Sequence, residues 1–134
     1  MALVVDASVA CAWLLEDEKD ELADSLGDQV ASSGAVVPSL FWAEVTNVLV
    51  QAHRRGRISR ADASASLQRL SRMALSAATH RAPPATLAEL AFKHSLTAYD
   101  AVYLDLALAL GAELATLDAE LIAAARAEGV TVLP

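Results

Sequence analysis

Residues 2–9 read Ala-Leu-Val-Val-Asp-Ala-Ser-Val, and this short stretch decides the kind of fold that we expect. The apolar run Ala2–Val5 has the length of one short buried strand and ends abruptly at Asp6. The residues from Ser8 to Leu15 have the pattern of a helix. The chain therefore opens with a strand that leads through an acidic residue into a helix.

The same alternation of short apolar strands and helices continues along the chain. Further strands are predicted at Ala35–Val37, Glu113–Thr116 and Val130–Leu133, and Ser76–Ala82 is ambiguous between loop and strand. Further helices are predicted at Lys19–Ser32, Leu40–Arg55, Ser59–Leu75, Pro83–Lys93, Thr97–Leu110 and Ala119–Glu128. This order predicts an α/β fold, a three-layer α/β/α sandwich with a short, mostly parallel central sheet. Because no linker or repeat interrupts the pattern, we expect a single domain over residues 1–134.

The composition indicates a globular chain without a membrane anchor. Hydrophobic residues make up 55% and charged residues 20% of the 134 positions, which excludes a disordered chain. The longest charge-free stretch, Gln29–Ala43, is broken by Gly34 and Pro38 and is too short to span a bilayer. No basic residues precede an apolar run as in a secretory signal. The single cysteine, Cys11, has apolar neighbours, so we expect a buried thiol in a cytoplasmic protein.

The charge is distributed unevenly, which matters for the choice of partner. The net charge is −7, yet the segment from Val45 to Ala88 contains seven arginines and one acid, a local charge of +6. A polarised chain of this kind can present a basic face to a polyanion. The candidate RNA-binding residues are Arg54, Arg55, Arg57 and Arg60. Arg54, Arg55 and Arg57 also lie where the end of a helix favours cations, so both interpretations remain open for them.

Four acids are expected at one edge of the sheet. Asp6 and Asp118 follow predicted strands, and ligands of open parallel sheets bind at the carboxyl ends of the strands. Glu44 lies in the second turn of the helix after the second strand, and Asp100 lies in the first turn of the helix that leads to the strand Glu113–Thr116. Taken singly, Asp6, Asp100 and Asp118 are each better explained as helix-capping or helix-start residues than as ligands.

Glu44 distinguishes the two interpretations, because a carboxylate in mid-helix gains nothing from capping. It lies beside the apolar stripe of Phe41 and Val48 and has no lysine or arginine within a helical turn. A carboxylate at a buried edge needs a partner, and a divalent cation would neutralise several clustered carboxylates at once. An all-oxygen site suits Mg²⁺ or Mn²⁺ better than zinc. Such a metal activates water for hydrolysis of a phosphodiester.

Four motifs in sequence resemble the PIN domain, and more narrowly the VapC-type toxins of bacterial toxin–antitoxin pairs. They are Val5–Val9, Pro38–Val45, Leu96–Leu104 and Leu114–Asp118. The four acids of that family fall on Asp6, Glu44, Asp100 and Asp118, and Ser8 and Thr116 match hydroxyl positions beside the metal. The resemblance implies a Mg²⁺-dependent endoribonuclease that is inhibited by a cognate antitoxin. It also implies a homodimer, and binding of operator DNA only through the antitoxin complex.

The remaining candidates receive weaker interpretations. His53, His80 and His94 are each expected to stand alone and partly exposed. Asp105 lies five positions after Asp100, about 140° away around the helix, and is not counted as a ligand. Trp13 and Trp42 favour the core or a protein interface; they could also line a groove for an antitoxin helix.

Two other classes of protein are weighed against the nuclease. A phosphotransfer receiver domain needs paired acids after the first strand and a lysine near a later one. Here a single acid, Asp6, follows that strand, and the only lysines are Lys19 and Lys93. A catalytically silent PIN-like binding or co-repressor module is the second alternative. The presence of all four acids disfavours it.

Overall fold

The computed structural model describes residues 2–133. A sheet of five short strands forms its centre: β1 (Leu3–Val5), β2 (Ala35–Val37), β3 (Leu75–Ala77), β4 (Glu113–Ala115) and β5 (Val132–Leu133). The strand order is β3-β2-β1-β4-β5, and every neighbouring pair is parallel. Buried side chains fill β1, in agreement with its continuous apolar sequence. The predicted α/β class with a short parallel sheet is confirmed.

The helices of the described chain form two groups. They are α1 (Ala7–Leu14), α2 (Glu21–Ser33), α3 (Leu40–Arg54), α4 (Arg60–Ser71), α5 (Pro84–His94), α6 (Ala98–Leu110) and α7 (Ala119–Ala127), with a 3₁₀ turn at Glu16–Glu18. The first group joins α1 to α2 and α3, and α3 to α4. The second joins α6 to α5 and α7. Two groups of helices around one sheet agree with the predicted three-layer arrangement.

The strand order reverses its direction beside β1, and this reversal positions the site. From β1 the chain moves outward through β2 to β3 along one half of the sheet, whereas from β4 it moves outward to β5 along the other. A crevice forms where two such crossovers diverge, at the carboxyl ends of the adjacent strands β1 and β4. Asp6 follows β1 directly, and Asp118 begins α7 just after β4.

One predicted helix is longer than the helix in the structure. The helix predicted to continue to Leu75 ends at Ser71, because Leu75 pairs with Ala35 and starts β3. The pairing with β2 overrides the local helical preference of this segment. In α6, the residues from Ala101 to Ala107 are buried or partly buried, whereas the last turn, with Leu108 and Leu110, is exposed.

Candidate functional site

The centre of the candidate site is a hydrogen-bond network around Asp6. Its Oδ2 atom accepts hydrogen bonds from Ser8 Oγ at 2.7 Å and from Thr116 Oγ1 at 2.8 Å. The two hydroxyls in turn accept hydrogen bonds from the backbone N–H groups of Leu117 and Asp118. Each hydroxyl donates its single proton in a hydrogen bond to Asp6, so the two bonds fix the orientation of the carboxylate. It also links the end of β1 to the end of β4.

Asp6 does not act as a helix cap, although it occupies the N-cap position of α1. Its side chain makes no capping hydrogen bond to that helix, so its two hydroxyl partners explain its place better than capping does. Only 5% of Asp6 is exposed. Burial raises the pKa of its carboxyl above the ordinary 3.8, and the hydrogen bonds from Ser8 and Thr116 oppose that rise. The backbone N–H groups of Ala7 and Ser8 also lower this pKa, and no side chain among residues 2–133 donates a hydrogen bond to the second oxygen, Oδ1.

Glu44 has a partner that the sequence analysis missed. The hydroxyl of Tyr103, a residue of α6 with no exposed surface, donates a hydrogen bond of 2.6 Å to Glu44 Oε1. Partial burial raises the pKa of Glu44, and the charges of Asp6 and Asp100 raise it further, against the effect of the Tyr103 bond. A buried tyrosine hydroxyl requires a partner. That requirement was the one signal in the sequence for this contact.

Asp100 and Asp118 occupy two different kinds of helix start. Thr97 caps α6 by accepting a hydrogen bond from the backbone N–H of Asp100, so the Asp100 carboxylate is not the cap. Asp118 does cap α7, and its Oδ1 accepts hydrogen bonds from Glu120 N and Leu121 N. Partial burial raises the pKa of Asp100, and the charges of Asp118 and Asp6 raise it further. These mutual effects indicate that the acids share one end of the sheet.

The four acids lie near one another without forming a tight cluster. Within residues 2–133, no three acidic, histidine or cysteine side chains stand close enough together to surround one ion. Like-charged carboxylates repel each other, which opposes such a cluster. The donor set nonetheless suits a hard cation, because every candidate ligand is a carboxylate oxygen. Asp6, Glu44 and Asp100 each keep at least one oxygen that accepts no hydrogen bond from a side chain of the described residues.

The arginine candidates lie away from these acids. Arg54 is ten residues after Glu44 on α3, about 15 Å along the helix axis. Arg57 forms a bidentate contact with Asp17, with distances of 2.7 and 3.0 Å, and this hydrogen bonding lowers the pKa of Asp17. Its guanidinium therefore ties the 3₁₀ turn to the loop after α3. Arg54, Arg55 and Arg60 form no ion pair within the described part of the chain.

The histidines were expected to stand alone and partly exposed. All three are exposed or partly exposed, but each has a hydrogen-bond partner, so only the expectation that they stand alone is wrong. His80 Nε2 lies 2.7 Å from Asp105 Oδ2, and His94 Nε2 lies 2.7 Å from Glu128 Oε2. His53 Nδ1 lies 3.1 Å from the carbonyl oxygen of Ile58. None of the three contacts involves the four acids of the candidate site.

Two further expectations concern buried side chains. Burial raises the pKa of the Cys11 thiol to about 12, as expected for an unreactive core cysteine. Trp13 lies in the core and donates a hydrogen bond to the carbonyl oxygen of Ala23, and Trp42 is half-buried.

No helix within residues 2–133 combines the length and apolar character that crossing a membrane would require.

A parallel sheet between helices, with acidic side chains at the crevice between β1 and β4, is typical of a known family of proteins. The chain matches the PIN domain model over residues 3–127 and therefore belongs to the PIN domain family. Within it, the chain is 34% identical to Ribonuclease VapC3 of Pyrobaculum aerophilum over 123 residues, 90% of this chain and 92% of that protein. It is also 34% identical to Ribonuclease VapC9 of Mycobacterium tuberculosis, with 98% of both chains covered. The resemblance to the VapC type is confirmed.

Solved structures agree with this assignment. The crystal structure of PAE2754 from Pyrobaculum aerophilum has a TM-score of 0.74 and 26% identity, covering 98% of this chain and 89% of that one. The crystal structure of FitAcB from Neisseria gonorrhoeae has a TM-score of 0.69 at 16% identity, covering 98% and 96%. The second likeness supports the fold alone.

Proposed function

We propose that this protein is a Mg²⁺-dependent endoribonuclease, the toxin of a type II toxin–antitoxin pair, in which Mn²⁺ can replace Mg²⁺. The observation that supports it best is the Asp6 network at the β1–β4 crevice. It fixes one carboxylate oxygen with two hydroxyls and leaves the other without a side-chain hydrogen bond, near three more acids. The similarity to proteins named VapC ribonuclease supports the same activity.

The residues would divide the work according to their contacts. Asp6, Glu44, Asp100 and Asp118 would hold the metal through the carboxylate oxygens that accept no side-chain hydrogen bond. Ser8 and Thr116 would hold Asp6 in one orientation, and Tyr103 would do the same for Glu44. When bound, a divalent ion would supply the positive charge that lowers the pKa of a water molecule and binds the phosphate.

The proposed partners are RNA, a cognate antitoxin and a second copy of the chain. Exposed apolar side chains on α5 and α6 support the homodimer, foremost Phe92 with 86% of its surface exposed, together with Leu108 and Leu110. Operator DNA would be bound only through the antitoxin complex, and the site of action would be the cytoplasm. Arg54, Arg55 and Arg60 would contact RNA at some distance from the cleaved bond, because they are exposed and lie at the end of α3 and the start of α4.

The test is RNA cleavage with Mg²⁺ or Mn²⁺, and again with EDTA. The variants Asp6→Asn and Asp100→Asn should keep the circular dichroism spectrum of the wild type and lose at least a hundred-fold in cleavage rate. Asp28→Asn is the matched control, because it makes the same charge change on an exposed residue of α2. Cleavage that persists in EDTA, or in both site variants, would contradict the proposal. A silent co-repressor module would keep its effect in cells with either variant.

A further inference from the structure

One cavity of the protein is lined by none of the four acids of the candidate site. It has a volume of about 360 Å³ and lies between the start of α3, the segment after β3 and one face of α6. Its apolar lining includes Leu40, Leu87, Val102 and Leu106. An apolar cavity of this size accommodates a flat ring of the dimensions of a nucleobase.

The polar lining of this cavity is a histidine–aspartate pair. His80 Nε2 and Asp105 Oδ2 are 2.7 Å apart, and the Asp105 side chain is only 14% exposed. Because a carboxylate can only accept, the proton of this contact belongs to His80. Asp105 Oδ1 makes no hydrogen bond within residues 2–133, so the pair offers a fixed acceptor to a ligand with an N–H group.

An aromatic ring and a guanidinium complete the lining. Tyr99 is 61% exposed at the first turn of α6, and Arg81 follows His80 in the chain. Arg81 forms no ion pair with any other described residue. Unpaired RNA bases are recognised by stacking on aromatic side chains and by hydrogen bonds to their edges, while arginine binds phosphate. The four side chains together match a nucleotide better than an apolar peptide.

The cavity lies within reach of the candidate metal site. Tyr99 is adjacent in sequence to Asp100, and Leu40 lies one helical turn before Glu44 on α3. Residues four apart on a helix have Cβ atoms about 5–6 Å apart. Asp105 itself lies about 140° around α6 from Asp100. A nucleotide in the cavity would therefore lie beside, and not at, a phosphodiester held at the acids.

We propose that this cavity binds one unpaired nucleobase of the RNA substrate, next to the cleaved bond. The base contacts the apolar lining and Tyr99, its exocyclic amino group donates to Asp105 Oδ1, and its phosphate approaches Arg81. Aspartate accepts from the amino group of cytosine, and adenine and guanine also carry one. Uracil lacks that amino group; its only base-pairing donor, N3–H, lies between two carbonyl oxygens that repel a carboxylate, so uracil is disfavoured about five- to ten-fold. This inference rests on the proposed ribonuclease function.

The first test measures binding without metal. In EDTA, wild-type protein is titrated with CMP, AMP, GMP and UMP, and the dissociation constants are measured from NMR chemical shifts. We expect UMP to bind at least five-fold more weakly than CMP. Asp105→Asn should abolish that difference, since an amide both donates and accepts, and Val102→Phe should weaken all four nucleotides by filling the cavity. Asp28→Asn is the control with the same charge change.

Two results would overturn the inference. One is equal binding of all four nucleotides to the wild type, or binding that neither variant changes. The other is a change of oligomeric state in Val102→Phe without any nucleotide binding to the wild type, which would assign the cavity to a contact between copies of the chain.

The second test separates this inference from the proposed function. A randomised RNA pool is cleaved in Mn²⁺, and the base frequencies around the cleaved bonds are sequenced. If uracil is depleted at one position in the wild-type products and this depletion is absent with Asp105→Asn, the cavity is supported as a subsite. Cleavage with identical base frequencies in both proteins overturns the subsite and leaves the nuclease intact. Binding of nucleotides as expected, without cleavage by the wild type, overturns the nuclease and leaves a nucleotide site.

Discussion

The hydrogen bond between Tyr103 and Glu44 allows a quantitative prediction. Hydrogen bonds to charged groups contribute roughly 1.5–3 kcal/mol. Glu44 is partly exposed, so solvent screening reduces that contribution to about 1–2 kcal/mol. Glu44 is the only side chain within residues 2–133 that hydrogen-bonds to the phenol, so phenylalanine at this position removes one side-chain hydrogen bond. We therefore expect Tyr103→Phe to lower the free energy of unfolding by about 1–2 kcal/mol.

A double-mutant cycle isolates this contribution from the loss of packing. The free energy of unfolding is measured by urea denaturation at pH 7 in EDTA for wild type, Tyr103→Phe, Glu44→Ala and the double variant. The coupling energy should be about 1–2 kcal/mol. Tyr99→Phe is the matched control, because it removes the hydroxyl of an exposed tyrosine of the same helix. That change should alter stability by less than about 0.5 kcal/mol.

The same variant has a consequence for metal binding. Without the hydroxyl, Glu44 samples more side-chain conformations, so Mn²⁺ should bind more weakly to Tyr103→Phe than to wild type, as measured by titration calorimetry. A coupling energy below about 0.3 kcal/mol would refute the reasoning. So would a Tyr103→Phe variant that is no less stable than Tyr99→Phe.

Three further predictions concern the same crevice. The pKa of Asp6 is raised in the folded state, so above pH 3.8 the folded protein retains a proton that the unfolded chain has released. In EDTA, the stability of the wild type relative to Asp6→Asn should therefore decrease as the pH rises above 3.8. A difference in urea denaturation that does not depend on pH would contradict this. Thr116→Val removes a buried hydroxyl that hydrogen-bonds to both Asp6 and the backbone of Asp118. It should lower the free energy of unfolding, measured by urea denaturation, by about 2–3 kcal/mol. The control Thr46→Val, at an exposed position, should lower it by less than about 0.5 kcal/mol. Asp118→Ala removes the cap of α7 and should cost about 1 kcal/mol, whereas Asp118→Asn retains most of it; equal melting temperatures of the two variants would count against the cap.

The fold was accessible from the sequence because its main elements are marked locally. The apolar runs at β1, β2 and β4 are bounded by Asp6, Pro38 and Gly111, and parallel strands of this kind are buried on both faces. The strand β3 escaped a definite prediction because Leu75–Ala77 forms an edge of the sheet and is largely exposed. Its short sequence carries neither an apolar run nor a clear alternation.

The candidate site was only partly accessible from the sequence. The positions of Asp6 and Asp118 follow from strand ends, but the bond from Tyr103 to Glu44 spans 59 positions. It depends on how closely α3 and α6 approach, which local patterns do not encode. The contact of Arg57 with Asp17 spans 40 positions, and it changes the interpretation of a residue that the charge pattern assigned to RNA.

The hydrogen bond from Thr116 to Asp6 joins residues 110 positions apart. During synthesis, an Asp6 that has already left the ribosome cannot acquire this partner until residue 116 has also emerged from it. A nascent chain that stops before Thr116 therefore lacks one of the two hydroxyls that hold the Asp6 carboxylate, and the network is complete only after β1 and β4 have paired.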